Sequence, residues 1–152
     1  MKIKILAIGK LKQSFWKEAV VEYLKRVNFF LPAEVLELSE EKNNNIKIVM
    51  EKEGARLLQK IKEGSLIIVL DKGGKKLSSE KLAENFSLWQ NKNKEIVFVI
   101  GGAFGLAPEV IKRANLQISL SDLTFTHEEA RVILLEQLYR TLTIVNNKPY
   151  HY

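Results

Sequence analysis

The most constraining feature of the sequence is a run with no polar alternation. Ile96–Ile100 is wholly apolar and passes directly into Gly101-Gly102-Ala103-Phe104-Gly105. A strand of that kind has no face to give to solvent, so other elements must cover both sides of it. Ile3–Ile8 and Ser65–Leu70 have the same character, the second ending at Asp71. Glu34–Leu38 alternates, and Gln117–Leu120 supplies a fifth short strand. The intervening segments carry helical spacing. Ser14 can cap a helix whose apolar positions are Phe15, Ala19, Tyr23 and Val27. Ile46, Met50, Gly54, Leu57, Leu58 and Ile61 trace the inner face of a second helix. Leu82, Ala83, Phe86 and Trp89 mark a third, entered near Ser78 or Ser79. A short helix can begin at Pro108, and a last one runs from about Glu128 to Leu142. Strands alternating with helices predict the α/β class, as one domain over residues 1–152 with a parallel sheet covered on both faces.

Bulk properties narrow the function classes. A chain of 152 residues, 46% hydrophobic and 28% charged, is long enough for one core and shows no disorder bias. Without cysteine it has no disulfide, thiolate ligand or cysteine nucleophile. Ile3–Ile8 is too short for a signal peptide core and no apolar run reaches a membrane span, so a cytoplasmic location without membrane partners is expected. The net charge of +6 is uneven: residues 1–31 hold seven Lys or Arg against Glu18 and Glu22. That basic end suits a polyanion such as RNA, although a small basic protein need not bind one.

In open parallel sheets the ligand crevice lies beyond the carboxyl ends of the strands, which directs attention to the loops at Asp71, Gly101 and Ser121. Adjacent glycines after a buried strand permit close backbone approach, so Gly101–Leu106 reads as a ligand loop or as a tight strand-to-helix turn. It lacks the G-x-G-x-x-G fingerprint, which disfavours a nicotinamide dehydrogenase. Asp71-Lys72-Gly73-Gly74-Lys75-Lys76 lacks the spacing of a phosphate loop and reads as a glycine turn with solvated lysines, which leaves contacts with RNA phosphates open. Asp122 and His127 flank a helix start without a serine or cysteine nucleophile nearby, so hydrolase chemistry has little support. His127 fits a helix entry as well as a catalytic role. With only His127 and His151 and no clustered acids, no metal site is expected.

The last helix is apolar on two sides, with Ala130, Leu134, Leu138 and Leu142 in one stripe and Val132, Leu135 and Tyr139 in another. Such a helix must be buried twice, either within the chain or against a second subunit, which predicts a homodimer. The tail from Asn146 to Tyr152 combines aromatic, basic and amide groups suited to unpaired bases and phosphates, or to simple packing of its two tyrosines.

Four ordered segments carry a resemblance: Ile100-Gly101-Gly102-Ala103-Phe104-Gly105-Leu106, Leu120-Ser121-Asp122-Leu123-Thr124-Phe125-Thr126-His127, Leu135-Glu136-Gln137-Leu138-Tyr139-Arg140, and Pro149-Tyr150-His151. Together with the start Ile5-Leu6-Ala7-Ile8-Gly9-Lys10, the whole chain resembles the ribosomal RNA large subunit methyltransferase H family of the SPOUT class. The resemblance implies a C-terminal trefoil knot, which general rules of chain threading would have excluded. It implies S-adenosylmethionine bound by Leu70, Gly101, Leu120, Ser121, Asp122, Leu123, Thr124 and Phe125. It also implies methyl transfer to N3 of a pseudouridine in a 23S rRNA stem-loop of the assembled 70S ribosome. His127 is a candidate base by residue type and loop position, and Arg140, Tyr150 and His151 are the expected RNA contacts. Where the family often has a basic residue after this histidine, Tyr152 stands here. A non-catalytic RNA-binding module and a SPOUT enzyme acting on transfer RNA are the alternatives.

Overall fold

The computed structural model describes residues 1–150. The expected alternation is present: β1 (Lys2–Ile8), α1 (Ser14–Asn28), β2 (Ala33–Leu38), α2 (Ile46–Gln59), β3 (Leu66–Lys76), α3 (Ser79–Lys92), β4 (Glu95–Ile100), α4 (Pro108–Arg113), β5 (Leu116–Ser119) and α5 (His127–Val145). All strands are parallel, in the order β2-β1-β4-β3-β5. β4, the most apolar segment, is central and buried at every residue.

Helices cover the two faces unequally. On one face Ile3, Ile5, Phe98, Ile68 and Phe86 pack with Val20 and Val27 of α1 and with Leu134, Leu135, Leu138 and Leu142 of α5. On the other, Leu6, Ile8, Val97, Val99 and Val69 pack with Leu57 of α2 and Val110 of α4. Burying each large aliphatic or aromatic side chain contributes about 1.5–3 kcal/mol, so these layers hold the fold together.

Several local expectations change. Ser14 lies inside α1 rather than capping it; Gln13 is the N-cap and makes no side-chain cap bond. Phe15 is 56% exposed, and Trp16, Val20, Tyr23, Leu24 and Val27 face the core instead. Ile46 is likewise exposed, because Asn45 caps α2 through its side chain and the inward face is Val49, Glu53, Gly54 and Leu57. The largest correction concerns Asp71–Lys76, which is not a turn that ends the strand. β3 pairs with β5 up to Leu70, bulges, and resumes at Lys75, both residues lying opposite Ile118. Asp71 Oδ2 stabilises the bulge by accepting the Gly73 N–H and the Gln117 Nε2–H, each at 2.8 Å. Gly74 lets the returning strand touch its neighbour, since a Cβ there would lie 2.5 Å from the Ile118 carbonyl carbon.

α5 is buried twice within the chain. Leu134, Leu135 and Leu138 are fully buried, and Ala130, Val132 and Tyr139 pack against the same core beneath α1. Both stripes therefore find partners in one subunit, and the helix by itself does not require a second.

Candidate functional site

Three segments end at the same edge of the sheet. β3 delivers Leu70, β4 delivers Ile100 and Gly101, and β5 delivers Ser119 and Leu120; Leu70 and Ile100 are paired partners. A cavity of about 580 Å³ lies where they meet. Its lining includes Leu70, Gly101, Leu120, Ser121, Asp122, Leu123, Thr124 and Phe125, every residue expected there, together with His127. It also includes Met50, Phe104, Leu106 and Ala130, which the sequence had placed in helix faces or turns without giving them a role at the site.

Local bonds fix the loops. Ser119 Oγ donates to the Ser121 carbonyl at 2.9 Å, and Ser121 Oγ accepts the Leu123 N–H at 3.0 Å, which folds Ser119–Leu123 into a compact turn. Lys76 Nζ holds both oxygens of Asp122 at 2.5 and 2.6 Å, so the resumed part of β3 fastens that turn from outside. Thr126 and Glu129 form a reciprocal capping box that starts α5 directly after the turn. His127 is the first residue of α5 and half-buried at the cavity wall; its imidazole makes no hydrogen bond among the described residues.

The glycines of the β4 loop serve internal packing. A Cβ on Gly101 would lie 2.8 Å from the Gly105 carbonyl carbon, and one on Gly102 would lie 2.9 Å from Glu53 Oε2. A side chain at Gly101 would thus strike the loop's own backbone, so this glycine serves a tight strand-to-helix turn. Glu53 is buried, accepts the Glu41 N–H through Oε1 at 3.1 Å, and leaves Oε2 without a partner. Burial pushes its carboxyl above the ordinary range, with Glu40 and Glu41 adding to the effect and the Glu41 N–H and Arg56 opposing it.

A second polar centre anchors the site's frame. Arg131 is completely buried and donates to the carbonyls of Ile8 and Gly9 at 3.0 and 2.7 Å and to Glu37 at 3.0 Å. Burial lowers its pKa, while Glu37, Glu128 and Glu40 oppose that shift. The only trace of this in the sequence is a cation within an apolar helix.

Arg140 and Tyr150, two of the residues expected to meet RNA, are not among those that line the cavity. Glu136 Oε1 accepts from Arg140 Nε and Nη2 at 3.1 and 2.7 Å and from the Tyr150 hydroxyl at 2.5 Å. The Arg140 guanidinium sits 3.9 Å from the Tyr150 ring centroid, and Tyr139 lies 5.2 Å away on that ring. Burial and Glu136 push the Tyr150 hydroxyl up to about 12. Tyr150 of the tail is thus packed onto α5. His151 lies outside the described residues.

Comparison with known proteins agrees with this architecture. Residues 1–151 match the model of a family described as "Predicted SPOUT methyltransferase". The chain is 44% identical to the ribosomal RNA large subunit methyltransferase H of Syntrophotalea carbinolica, across 99% of each protein. It is 43% identical to the protein of the same name from Caldicellulosiruptor saccharolyticus, across 98% of this chain and 99% of that one. With one α/β domain, a five-stranded parallel sheet and a family match spanning nearly every residue, this chain belongs to the SPOUT methyltransferase family.

Proposed function

We propose that the chain transfers a methyl group from S-adenosylmethionine to N3 of a pseudouridine in a 23S rRNA stem-loop on the assembled 70S ribosome. It acts in the cytoplasm as a homodimer. The observation that carries this reading is the convergence of three strand-end loops on one cavity, in a chain whose relatives are named for ribosomal RNA methylation. The cavity suits the donor. Its volume falls in the usual range for small-molecule sites, and Leu70, Ile100, Leu106 and Leu120 offer apolar walls.

When bound, S-adenosylmethionine supplies an electrophilic methyl group on a sulfonium. The protein's part is to hold the methyl in line with N3 and to let the N3 proton depart, so orientation supplies much of the rate. Leu70, Gly101 and Leu120–Phe125 hold the donor. His127, a candidate base by residue type, accepts the proton in this reading; it lines the cavity and makes no competing hydrogen bond among the described residues, which supports the assignment. Arg140, Tyr150 and His151 contact the RNA. The dimer rests on apolar side chains left open along α1 and at its C-cap, where Phe15, Val21 and Phe29 are 56%, 67% and 81% exposed.

The test is incubation of the protein with labelled S-adenosylmethionine and undermodified 70S ribosomes, followed by nucleoside mapping. Label at N3 of one 23S pseudouridine is expected. Label only in transfer RNA would replace the substrate, and ribosome binding without transfer would reduce the chain to a binding module. Sedimentation at micromolar concentration should give about twice the 17.4 kDa chain mass; a single-chain mass would remove the dimer.

A further inference from the structure

The buried charges around Arg131 have no place in the chemistry above, yet they fix one short segment with unusual completeness. Gly9–Gln13 connects β1 to α1, and apart from the Gln13 carbonyl, which accepts the Lys17 N–H, its polar holds come from residues distant in sequence. Arg131 takes the carbonyls of Ile8 and Gly9. Glu37 accepts the Leu11 N–H at 3.2 Å, and Glu128, itself buried, accepts the Lys12 N–H at 2.7 Å. Gly9 adopts φ +88°, a turn that an L side chain rarely makes. Glu37 and Glu128 are therefore committed to Arg131 and to backbone N–H groups, while Glu40, whose Oε1 lies 2.6 Å from where a Gly9 Cβ would stand, makes no ion pair with either lysine among the described residues. The side chains of Lys10 and Lys12 are exposed and make no ion pair among the described residues.

The position of this segment gives it meaning. β1 pairs with β4, Ala7 opposite Ile100, so Gly9 leaves the sheet at the same edge as the Gly101 loop, one strand away. The first five residues of α5 serve both places, with His127 and Ala130 lining the cavity and Glu128 and Arg131 holding the segment. Two unpaired ammonium groups are thus carried on a backbone rigidly tied to the wall of the methyl-donor cavity.

We propose that Lys10 and Lys12 form a preorganised phosphate-contact surface for the substrate RNA, separate from Arg140 and the tail. This rests on the reading of the chain as a ribosomal RNA methyltransferase and names the surface that sets the strand against the cavity. Compact ammonium groups suit backbone phosphates, which position a nucleic acid without reading its sequence. Because the backbone is already fixed, less ordering entropy is lost when RNA binds.

The experiment compares wild type with Lys10→Gln/Lys12→Gln and with Lys62→Gln/Lys94→Gln. The second pair removes the same charge from exposed positions at the opposite ends of β3 and β4. S-adenosylmethionine affinity and melting temperature should be unchanged in both. For Lys10→Gln/Lys12→Gln, kcat/KM on undermodified ribosomes should fall about tenfold or more near physiological salt. Its log–log salt dependence of binding should flatten by about 1.5, from counterions no longer released at two lost contacts. Lys62→Gln/Lys94→Gln should behave as wild type. Equal losses in the two variants would show general charge attraction and overturn the surface, as would a wild-type salt slope in Lys10→Gln/Lys12→Gln. A wild-type protein that binds the donor but methylates no ribosomal RNA would instead overturn the functional reading and this surface with it. That result is distinguishable because the wild type itself then fails.

Discussion

Two glycine pairs lie just past the buried stretches of two neighbouring strands, and the protein uses them in opposite ways. Gly73-Gly74 follows Leu70 on β3 and Gly101-Gly102 follows Ile100 on β4, with Leu70 and Ile100 paired side by side. Gly74 admits the backbone of β5, so β3 bulges and then continues. Gly101 admits the backbone of Gly105, so the chain folds back on itself and leaves a cavity wall. Both pairs mark places where another backbone comes within contact distance. Glycine thus signals close approach, and what approaches decides whether the result is a sheet or a site.

The comparison breaks most visibly at Gly74. In Gly74→Ala the new Cβ meets Ile118 N at 2.6 Å and its carbonyl carbon at 2.5 Å, neither of which can rotate away. The resumed β3 must part from β5, carrying Lys76 off Asp122, and a loss of about 3 kcal/mol or more is expected. Thermal unfolding checks it; a melting temperature within about two degrees of wild type would mean that the two strands are not held in this register. Gly101→Val should come next, at about 2 kcal/mol, because its clash lies within a loop that can open. Its signature is different. Calorimetry should show S-adenosylmethionine binding lost while the far-ultraviolet circular dichroism of the sheet persists, and equal binding by both proteins would detach the loop from the site.

Glu53 sharpens the comparison, since its unpartnered oxygen lies against Gly102 and no comparable charge lies against Gly74. Its carboxyl is raised by burial, so the folded state holds its proton more tightly than the unfolded chain. Stability from this group is fully present below the ordinary value of 4.5 and is lost as pH rises through the raised folded value. Glu53→Gln, which keeps an acceptor for the Glu41 N–H, should therefore melt higher than wild type at pH 7 to 8. The gap should close as pH falls to about 4.5; a constant gap would remove titration as its cause. The smallest effect is expected at Gly105. Its φ of +82° is strained for alanine, yet a Cβ there meets nothing within 4 Å. Gly105→Ala should cost about 1 kcal/mol in unfolding free energy, with donor affinity changed less than in Gly101→Val.

Much of this was legible in the residues. The apolar run Ile96–Ile100 required a central strand and is one, and the loops named at Asp71, Gly101 and Ser121 do meet at one cavity. Amphipathic spacing placed the longer helices and Pro108 the short one, missing chiefly which neighbour turned inward: Trp16 and Val20 for Phe15, and Val49 for Ile46. Both misses fall in the first turn of a helix, Phe15 two residues after the Gln13 cap and Ile46 directly after the Asn45 cap, while Tyr23, Val27, Gly54 and Leu57 farther along face inward as expected.

The sequence by itself determined the class of fold and the end of the sheet where a ligand would sit, because both follow from local facts. Unbroken apolarity forces double coverage, and parallel strands bring their carboxyl ends together. Only the tertiary structure decided that Asp71–Gly74 is a bulge, that Arg131 clamps carbonyls more than 120 residues away, and that Tyr150 rests on Arg140 and Glu136. Each depends on a buried polar group finding a partner far along the chain. Burial makes such partners obligatory, but no spacing in the sequence says which they are.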